Sequence, residues 1–369
     1  SYTSLTNAVC ENGNIDDSGI ETELSNSEDS NVESDTAETG NDSIELENLF
    51  EASVPSYFIN YAEGVRTCGD SGCSIDSKPS WLDYDKYRRG QKVALKYFFG
   101  IQFAQLLSLL VVFSGPGGPS NYLSTALRVR SWYLDDLWDP KSEAHKNLKT
   151  VRAMHDNLRK NLIATDPEDR DRRSTLSTRC ESGCPAIWST LQKELREDFE
   201  GSCPHPRVLE DKFQTFYKKR VCVNQTEMVS GLFGAHNVTE EELDSFVHLW
   251  RCIGYLLGVE DKFNFCDGDL KTVRQKTTDL IELIFKPCLR KVTQDWEHMS
   301  RCVTEGISFY VPGVTFEVSL MYLCNMLGLY TPRLWAALTF SQKIIYYLTH
   351  FTFWFLMRLP GSLEYHNWI

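Results

Sequence analysis

The first 65 residues of the chain contain no lysine and no arginine, and the first basic residue is Arg66. Residues 1–50 hold 13 Asp and Glu and almost no large apolar side chains. Such a segment cannot bury enough apolar surface to offset the entropy lost on ordering. We therefore expect residues 1–50 to be a disordered acidic tail and residues 51–80 to be a linker to the folded body.

The rest of the chain has no charge excess of either sign. Subtracting the 13 acidic residues of the tail from 51 leaves 38, which equals the 38 Lys and Arg of the whole chain. Binding of nucleic acid depends on a clustered basic surface. A body without such an excess excludes DNA and RNA as expected partners.

The chain also lacks an uninterrupted apolar run of the ~20 residues needed to cross a bilayer. Its longest apolar stretch, 98–113, is interrupted by one glycine and three polar residues, which favours a buried core helix over a membrane-embedded segment. No Gly-x-Ser-x-Gly elbow occurs, and the glycine-rich segment 115–119 is not followed by Lys-Ser/Thr. These absences exclude an α/β-hydrolase nucleophile and a phosphate-binding loop.

Apolar residues recur at steps of three and four through most of the body, and few segments alternate with a period of two. This periodicity predicts an all-α fold. Helices are predicted over 121–138, 143–163, 186–200, 207–220, 224–234, 240–258, 270–290 and 291–305. Thr239 and Glu242 form the capping-box pattern at the start of one helix, and Gly258 ends it. We expect one domain over 81–310, followed by C-terminal helices over 311–369.

The segment 335–359 is rich in aromatic residues and contains Lys343, His350 and Arg358 but no Asp or Glu. Two interpretations remain open. It is either a final helix that packs on the domain or a helix that contacts a membrane surface.

His155 is the first candidate functional residue. It lies on a predicted apolar stripe with Leu148, Val151, Leu158 and Leu162. A buried imidazole needs a partner, and a hydrogen bond within the core is more common than a metal. However, Arg152 lies one turn away, and a cation beside an imidazole makes more sense if an anionic group is near.

A second candidate is the strongly apolar helix that carries Trp250 and Arg251. Arg251 either forms a salt bridge at the helix edge or pairs with an anionic group on a large flat ligand. Gly254 and Gly258, on the same segment, would allow close approach of a helix or cofactor.

Four pieces of the sequence occur in an order and spacing that carry a family resemblance: 122–125 (Tyr-Leu-Ser-Thr), 151–155 (Val-Arg-Ala-Met-His), 225–228 (Gln-Thr-Glu-Met) and the long segment 246–264. Together they resemble the latex clearing proteins (rubber oxygenases) and the ER-bound oxygenase of mycophenolic acid biosynthesis. The similarity covers about residues 81–300 and is greatest to the animal branch of the family.

The resemblance implies an all-α domain around a b-type haem, with O2 as co-substrate. It implies His155 as the axial ligand of the iron, at the end of an Arg-x-x-His motif that begins at Arg152. With a haem in place, we expect Arg152 and Arg251 to pair with the propionates or to order the pocket, and Trp250 to lie beside the haem. Thr125 and Arg152 are the candidate catalytic residues. Counting back thirty residues from His155 gives Thr125, the threonine of the family's distal Arg-x-x-Lys-Thr motif. Asn121 and Ser124 stand at the Arg and Lys positions, which puts the rubber-type reaction in doubt.

The same resemblance implies oxidative cleavage of a C=C bond, or a related oxidation, in a hydrophobic molecule such as an isoprenoid. The expected location is intracellular, at the endoplasmic reticulum membrane or in the cytoplasm, with 98–113 and 335–359 as the segments that contact a membrane. A family member that binds a hydrophobic ligand without catalysis is the non-enzymatic alternative.

Two further motifs support different functions. Asp135, Asp136 and Asp139 have the Asp-Asp-x-x-Asp form of class I terpene synthases and prenyltransferases, in which carboxylates one helical turn apart hold Mg²⁺. A solvated, acidic helix end near Pro140 is the simpler interpretation. In addition, Cys180, Cys184, Cys203 and His205 could bind a structural zinc, although their spacing favours free thiols.

Overall fold

The computed structural model describes residues 55–60, 71–112, 119–164, 187–202, 238–286, 313–359, 361, 362 and 365, together with ten separate positions between 289 and 311. Within these residues the chain forms α-helices with short 3-10 and π turns and no strand, so the predicted all-α class is confirmed. The helices are α1 (Tyr84–Lys96), α2 (Phe98–Val112), α3 (Pro119–Leu134), α4 (Glu143–Ala164), α5 (Ile187–Ser202), α6 (Glu240–Leu256), α7 (Leu270–Leu280), α8 (Phe316–Met326), α9 (Pro332–Ala337) and α10 (Phe340–Trp354). The acidic tail and the helices predicted over 207–220 and 224–234 lie outside the described residues.

Helices α1 and α6 form the most extensive helix pair of the described core. Asp83 caps α1 by accepting a hydrogen bond from the Lys86 backbone N–H at 2.9 Å. Gly90 allows the two backbones to approach, because a Cβ at this position would lie 2.3 Å from the carbonyl oxygen of Ser245. The predicted capping box of α6 is present, with Thr239 and Glu242 bonded reciprocally.

Helices α3 and α4 form an antiparallel hairpin closed by the turn 135–142. Asn147 on α4 accepts a hydrogen bond from Arg128 Nη1 and donates one to Ser131 Oγ, each at 3.1 Å. Near the turn, the buried ring of His145 bonds through Nδ1 to the carbonyl of Leu137 at 2.8 Å. The antiparallel direction brings the beginning of α3 alongside the second half of α4, where His155 lies.

The segment 71–83 crosses the ends of several helices. The Ser71 N–H donates to the carbonyl of Gly258 at 2.8 Å, and Trp138 Nε1 donates to the carbonyl of Ser77 at 3.1 Å. Trp81 Nε1 donates to Asp261 at 2.9 Å. Residues 71–80, at the end of the segment expected to link the tail to the body, are thus hydrogen-bonded to the helical body.

The C-terminal helices pack on the rest of the body. Phe353 of α10 lies 4.6 Å from Phe103 of α2, ring centroid to centroid, and Asp198 of α5 accepts from the backbone N–H of Leu334 at 2.9 Å. The single final helix expected here is two helices, because Leu338 is extended and Thr339 starts α10 with its own capping box. Similarly, the helix predicted over 270–290 leaves α-geometry at residue 281, where a π turn begins.

Among the described residues, no helix is both long enough and apolar enough to span a bilayer. The apolar stretch at 98–113 is α2 up to residue 112, and its Ile101, Leu107 and Leu110 are almost fully buried within the protein. For these side chains, the core-helix interpretation of the stretch is the one the structure supports.

Candidate functional site

His155 lies on α4, on the stripe that also contains the buried residues Leu148 and Val151. Its ring is half-buried, and burial lowers the pKa of the imidazole below its usual value of 6.5. The Nδ1 atom is shielded from solvent and has no hydrogen-bond partner among the described residues. A neutral imidazole with an unsatisfied buried nitrogen is chemically suited to bind a metal, since the ligating form of histidine is the neutral one.

Arg152, one turn before His155, is bound to the protein's own backbone. Its Nη1 donates to the carbonyl of Cys73 at 2.9 Å and to that of Leu256 at 3.3 Å. The guanidinium also packs against Gly258, whose φ is +90°. Arg152 therefore ties α4 to the segment 71–83 and to the end of α6, next to the helix turn that carries His155.

Arg251 has the salt bridge that one interpretation of the sequence predicted. Its Nη2 lies 2.6 Å from Asp267 Oδ1, and its guanidinium lies 4.1 Å from the ring centre of Trp81. The cation is thus partly neutralised by a carboxylate and stacked on an aromatic face.

Trp250 is buried in the core. Its ring meets those of Tyr133 on α3 and Phe246 on α6 edge-on, at 6.3 Å and 6.4 Å. Burial raises the pKa of Tyr133 far above its usual range, so the phenol is neutral. Trp250 therefore connects α6 to the α3–α4 hairpin.

Two further histidines, His236 and His248, are the next candidates for a metal ligand after His155. The structure gives His248 a partner: its Nε2 accepts a hydrogen bond from the backbone N–H of Asp83 at 3.2 Å. Burial, with Lys86 nearby, lowers the pKa of this imidazole, which keeps the accepting nitrogen unprotonated. His248 is a satisfied core histidine, and His236 lies outside the described residues.

Two of the three aspartates of the magnesium motif accept hydrogen bonds within the protein. They lie in the turn after α3, where Asp136 accepts bonds from the Tyr84 hydroxyl and the Trp138 N–H, and Asp139 accepts from the Lys141 N–H. The motif requires carboxylates one turn apart on a helix, and this segment is not helical. In this structure the three aspartates therefore lie in a turn at the end of α3 and not one turn apart on a helix.

Two sets of predicted residues cannot be placed side chain by side chain. The first set is on α3, and the structure does not describe its side chains: Asn121, Ser124 and Thr125. The second set, the four proposed zinc ligands, lies outside the described residues: Cys180, Cys184, Cys203 and His205. No group of three or more His, Cys, Asp or Glu suited to a metal occurs within the described positions.

Sequence reasoning missed the segment 71–83, which supplies partners to both arginines. Trp81 stacks on Arg251, and Cys73 accepts from Arg152. The sequence shows an aromatic-rich run that begins at Trp81. Its pattern does not indicate that Trp81 stacks on Arg251.

A separate cavity of about 140 Å³ lies between α2, α8 and α10. It is lined mainly by apolar side chains, among them Phe99, Phe103, Val314, Ile345 and Phe353. His155 is not among the lining residues, so this cavity and the candidate ligand are two distinct features.

No family model and no curated protein matches the sequence. Among solved structures, the chain is similar to latex clearing protein in its closed state, with 13% identity, a TM-score of 0.41, and coverage of 80% of this chain and 77% of that chain.

Of the residues expected to hold a haem, His155 has the chemistry that the role requires. His155 has the neutral, incompletely bonded imidazole that an iron ligand needs. Arg152 and Arg251 already have protein partners. These contacts use Nη1 of Arg152 and Nη2 of Arg251, and a guanidinium has five N–H donors, so each side chain has donors beyond those used in these contacts.

Proposed function

We propose that this chain is a haem b-dependent oxidoreductase that uses O2 to oxidise a hydrophobic small molecule. The observation that carries the proposal is the buried, unpartnered Nδ1 of His155 on a neutral imidazole. The motif resemblance gives the cofactor and the class of substrate, of which an isoprenoid is the example. A haem held by one imidazole supplies an open iron position for dioxygen.

His155 would hold the iron through one ring nitrogen and leave the other to be satisfied by a hydrogen bond. Such a bond orients the ring and raises its basicity. Arg152 would act as a positioning residue, because its bonds to Cys73 and Leu256 fix the turn of α4 from which His155 projects. The apolar side chains beside it on α4, Leu148 and Val151, exclude water from that face of the helix.

The experiment is an absorption spectrum of the full chain expressed with ample haem. We expect a Soret band that is lost in His155→Ala and retained in His350→Ala, a matched control on an exposed histidine of α10. A colourless protein, or a Soret band unchanged in His155→Ala, would contradict the proposal.

Catalysis is tested separately, with the haem-loaded chain and an unsaturated isoprenoid. We expect oxygen consumption that requires the isoprenoid and is lost in His155→Ala. A normal Soret band without such consumption would leave haem binding in place and assign the chain to the non-catalytic binders.

A further inference from the structure

Helix α10 is apolar on both of its sides. One side packs inward: Tyr346 is buried, and Phe353 stacks near Phe99 and Phe103 of α2. The opposite side points to solvent and carries large apolar residues at helical spacing. They are Phe340, Ile344, Tyr347, Leu348, Phe351, Trp354 and Phe355, here called the outer stripe. An amphipathic helix of a globular protein would be polar on that side.

The outer stripe is exposed to an unusual degree. Phe340 is 80% exposed and Tyr347 61%, and the other members are each more than 40% exposed. Since a large aromatic side chain presents about 150–250 Å², the stripe exposes roughly 700 Å² of contiguous surface. The largest apolar patch of a typical monomer is about 300–600 Å², so a surface of this size marks an interaction site.

The charged side chains within α10 and its flanking sequence are of one sign, and Glu317 of α8, which accepts a hydrogen bond from Gln342 at 3.0 Å, is a carboxylate beside its first turn. From Val318 to Leu363 the sequence contains Arg333, Lys343 and Arg358 and no Asp or Glu. Lys343 and Arg358 lie 5.4 Å and 5.3 Å from the ring centres of Trp335 and Trp354, and neither forms an ion pair with a carboxylate among the described residues. Both cations are thus available at the border of the outer stripe.

We propose that the outer stripe of α10 inserts into the interface of an anionic lipid membrane. Tyr347 and Trp354 have an apolar body and one polar atom, which suits the boundary between acyl chains and headgroups. Lys343 and Arg358 can extend from the border of the stripe to lipid phosphates. At 15 residues, α10 is about 22 Å long and lies along the surface instead of spanning it. This proposal does not depend on haem binding.

The test is sedimentation of the full chain with vesicles of phosphatidylcholine alone or of phosphatidylcholine with phosphatidylserine. We expect stronger sedimentation with the anionic vesicles, and weaker binding as salt is raised. Phe340→Ser, Tyr347→Ser and Trp354→Ser combined should lower the partition coefficient more than tenfold. Lys343→Glu with Arg358→Glu should remove the preference for phosphatidylserine, a loss of roughly tenfold or more. The control is Leu134→Ser, an equally exposed apolar residue on α3.

The substituted side chains are exposed, except for the half-buried Lys343, so the variants should keep the circular dichroism of the parent chain. Quenching of Trp354 fluorescence by brominated lipid, lost in Trp354→Phe, should locate the helix at the acyl boundary. Three results would overturn the proposal: no sedimentation with either vesicle, equal sedimentation of the triple variant, or a lipid-free dimer that the triple variant converts to monomer. The last result would mean that a second copy of the chain covers the stripe.

Discussion

Arg152 and Gly258 are in such close contact that a Cβ added to the glycine would lie 2.9 Å from Nε and Nη2 of the arginine. Gly258 also has a φ of +90°, a conformation that costs other residues about 1–2 kcal/mol. Both the close contact and the positive φ favour glycine at the end of α6. The same contact limits where the Arg152 side chain can lie.

We therefore expect Gly258→Ala to lower the free energy of unfolding by about 2–4 kcal/mol, measured by urea denaturation. Gly72→Ala is the matched control, because Gly72 has a φ of +65° but no atom within 4 Å of its Cβ position. That variant should lose only the backbone part, about 1–2 kcal/mol. Equal losses in the two variants would show that contact with Arg152 costs nothing.

The packing of α1 on α6 gives a second prediction. A methyl group at Gly90 would lie 2.3 Å from Ser245 O and 2.7 Å from Leu249 Cβ. Gly90→Ala should separate the two helices and destabilise the protein by about 3 kcal/mol. Gly100→Ala on α2 meets nothing within 4 Å and should stabilise by about 0.5–1 kcal/mol through helix propensity. Thermal unfolding of the two variants should show shifts of opposite sign.

A third prediction concerns acid pH. Burial lowers the pKa values of both His155 and His248 in the folded chain, so between the folded and unfolded values the unfolded state binds more protons. Their contribution to stability is complete above the unfolded value of about 6.5 and is lost as the pH falls through the folded values. In the haem-free chain, the free energy of unfolding should decrease as the pH is lowered from about 7 to 5.

Substitution of each histidine tests its share of this effect. The quantity measured is the slope of the free energy of unfolding against pH. His248→Gln can still accept the Asp83 N–H through its amide oxygen but cannot titrate, so the slope should become shallower. His155→Gln should have the same effect.

A fourth prediction concerns the attachment of the C-terminal helices. The buried carboxylate of Asp198 accepts the backbone N–H groups of Arg333 and Leu334, at 3.0 Å and 2.9 Å, at the start of α9. Asp198→Ala would leave these groups without an acceptor in a buried position and should cost about 2–3 kcal/mol. Glu197→Ala removes only a partly exposed ion pair with Arg333 and should cost less than about 1 kcal/mol. Faster hydrogen exchange in α9 should accompany only the Asp198 substitution.

The sequence predicted the bounds of a helix closely where apolar residues recur at helical spacing and a capping residue marks the helix start. The prediction of 143–163 compares with α4 at 143–164, and Thr239 marked the start of α6. The break before α10 could have been found in the same way, because Thr339 and Gln342 have capping-box spacing. The π turn at 281–285 has no comparable signal, since it adds one residue to a turn without changing the type of residue used.

The candidate site was harder to predict because its contacts join distant parts of the sequence. Periodicity placed His155 on an apolar stripe, and the structure leaves Nδ1 without a partner among the described residues. The partners of Arg152 and Arg251 come from 71–81 and 256–267, and no spacing rule connects those segments. A local pattern shows which residues share a helix face, but not which carbonyl or carboxylate that face meets.

The segment 71–83 also imposes an order on folding. Trp81 is synthesised 180 residues before Asp261, its hydrogen-bond acceptor, and Asp83 precedes His248 by 165 residues. At about 5–20 residues per second, the ribosome needs roughly 10–40 seconds to make the intervening chain. During that interval α1 can form as a local helix, but its native neighbour α6 does not yet exist. Assembly of this high-contact-order core is therefore a late event, governed by the arrival of the second half of the polypeptide.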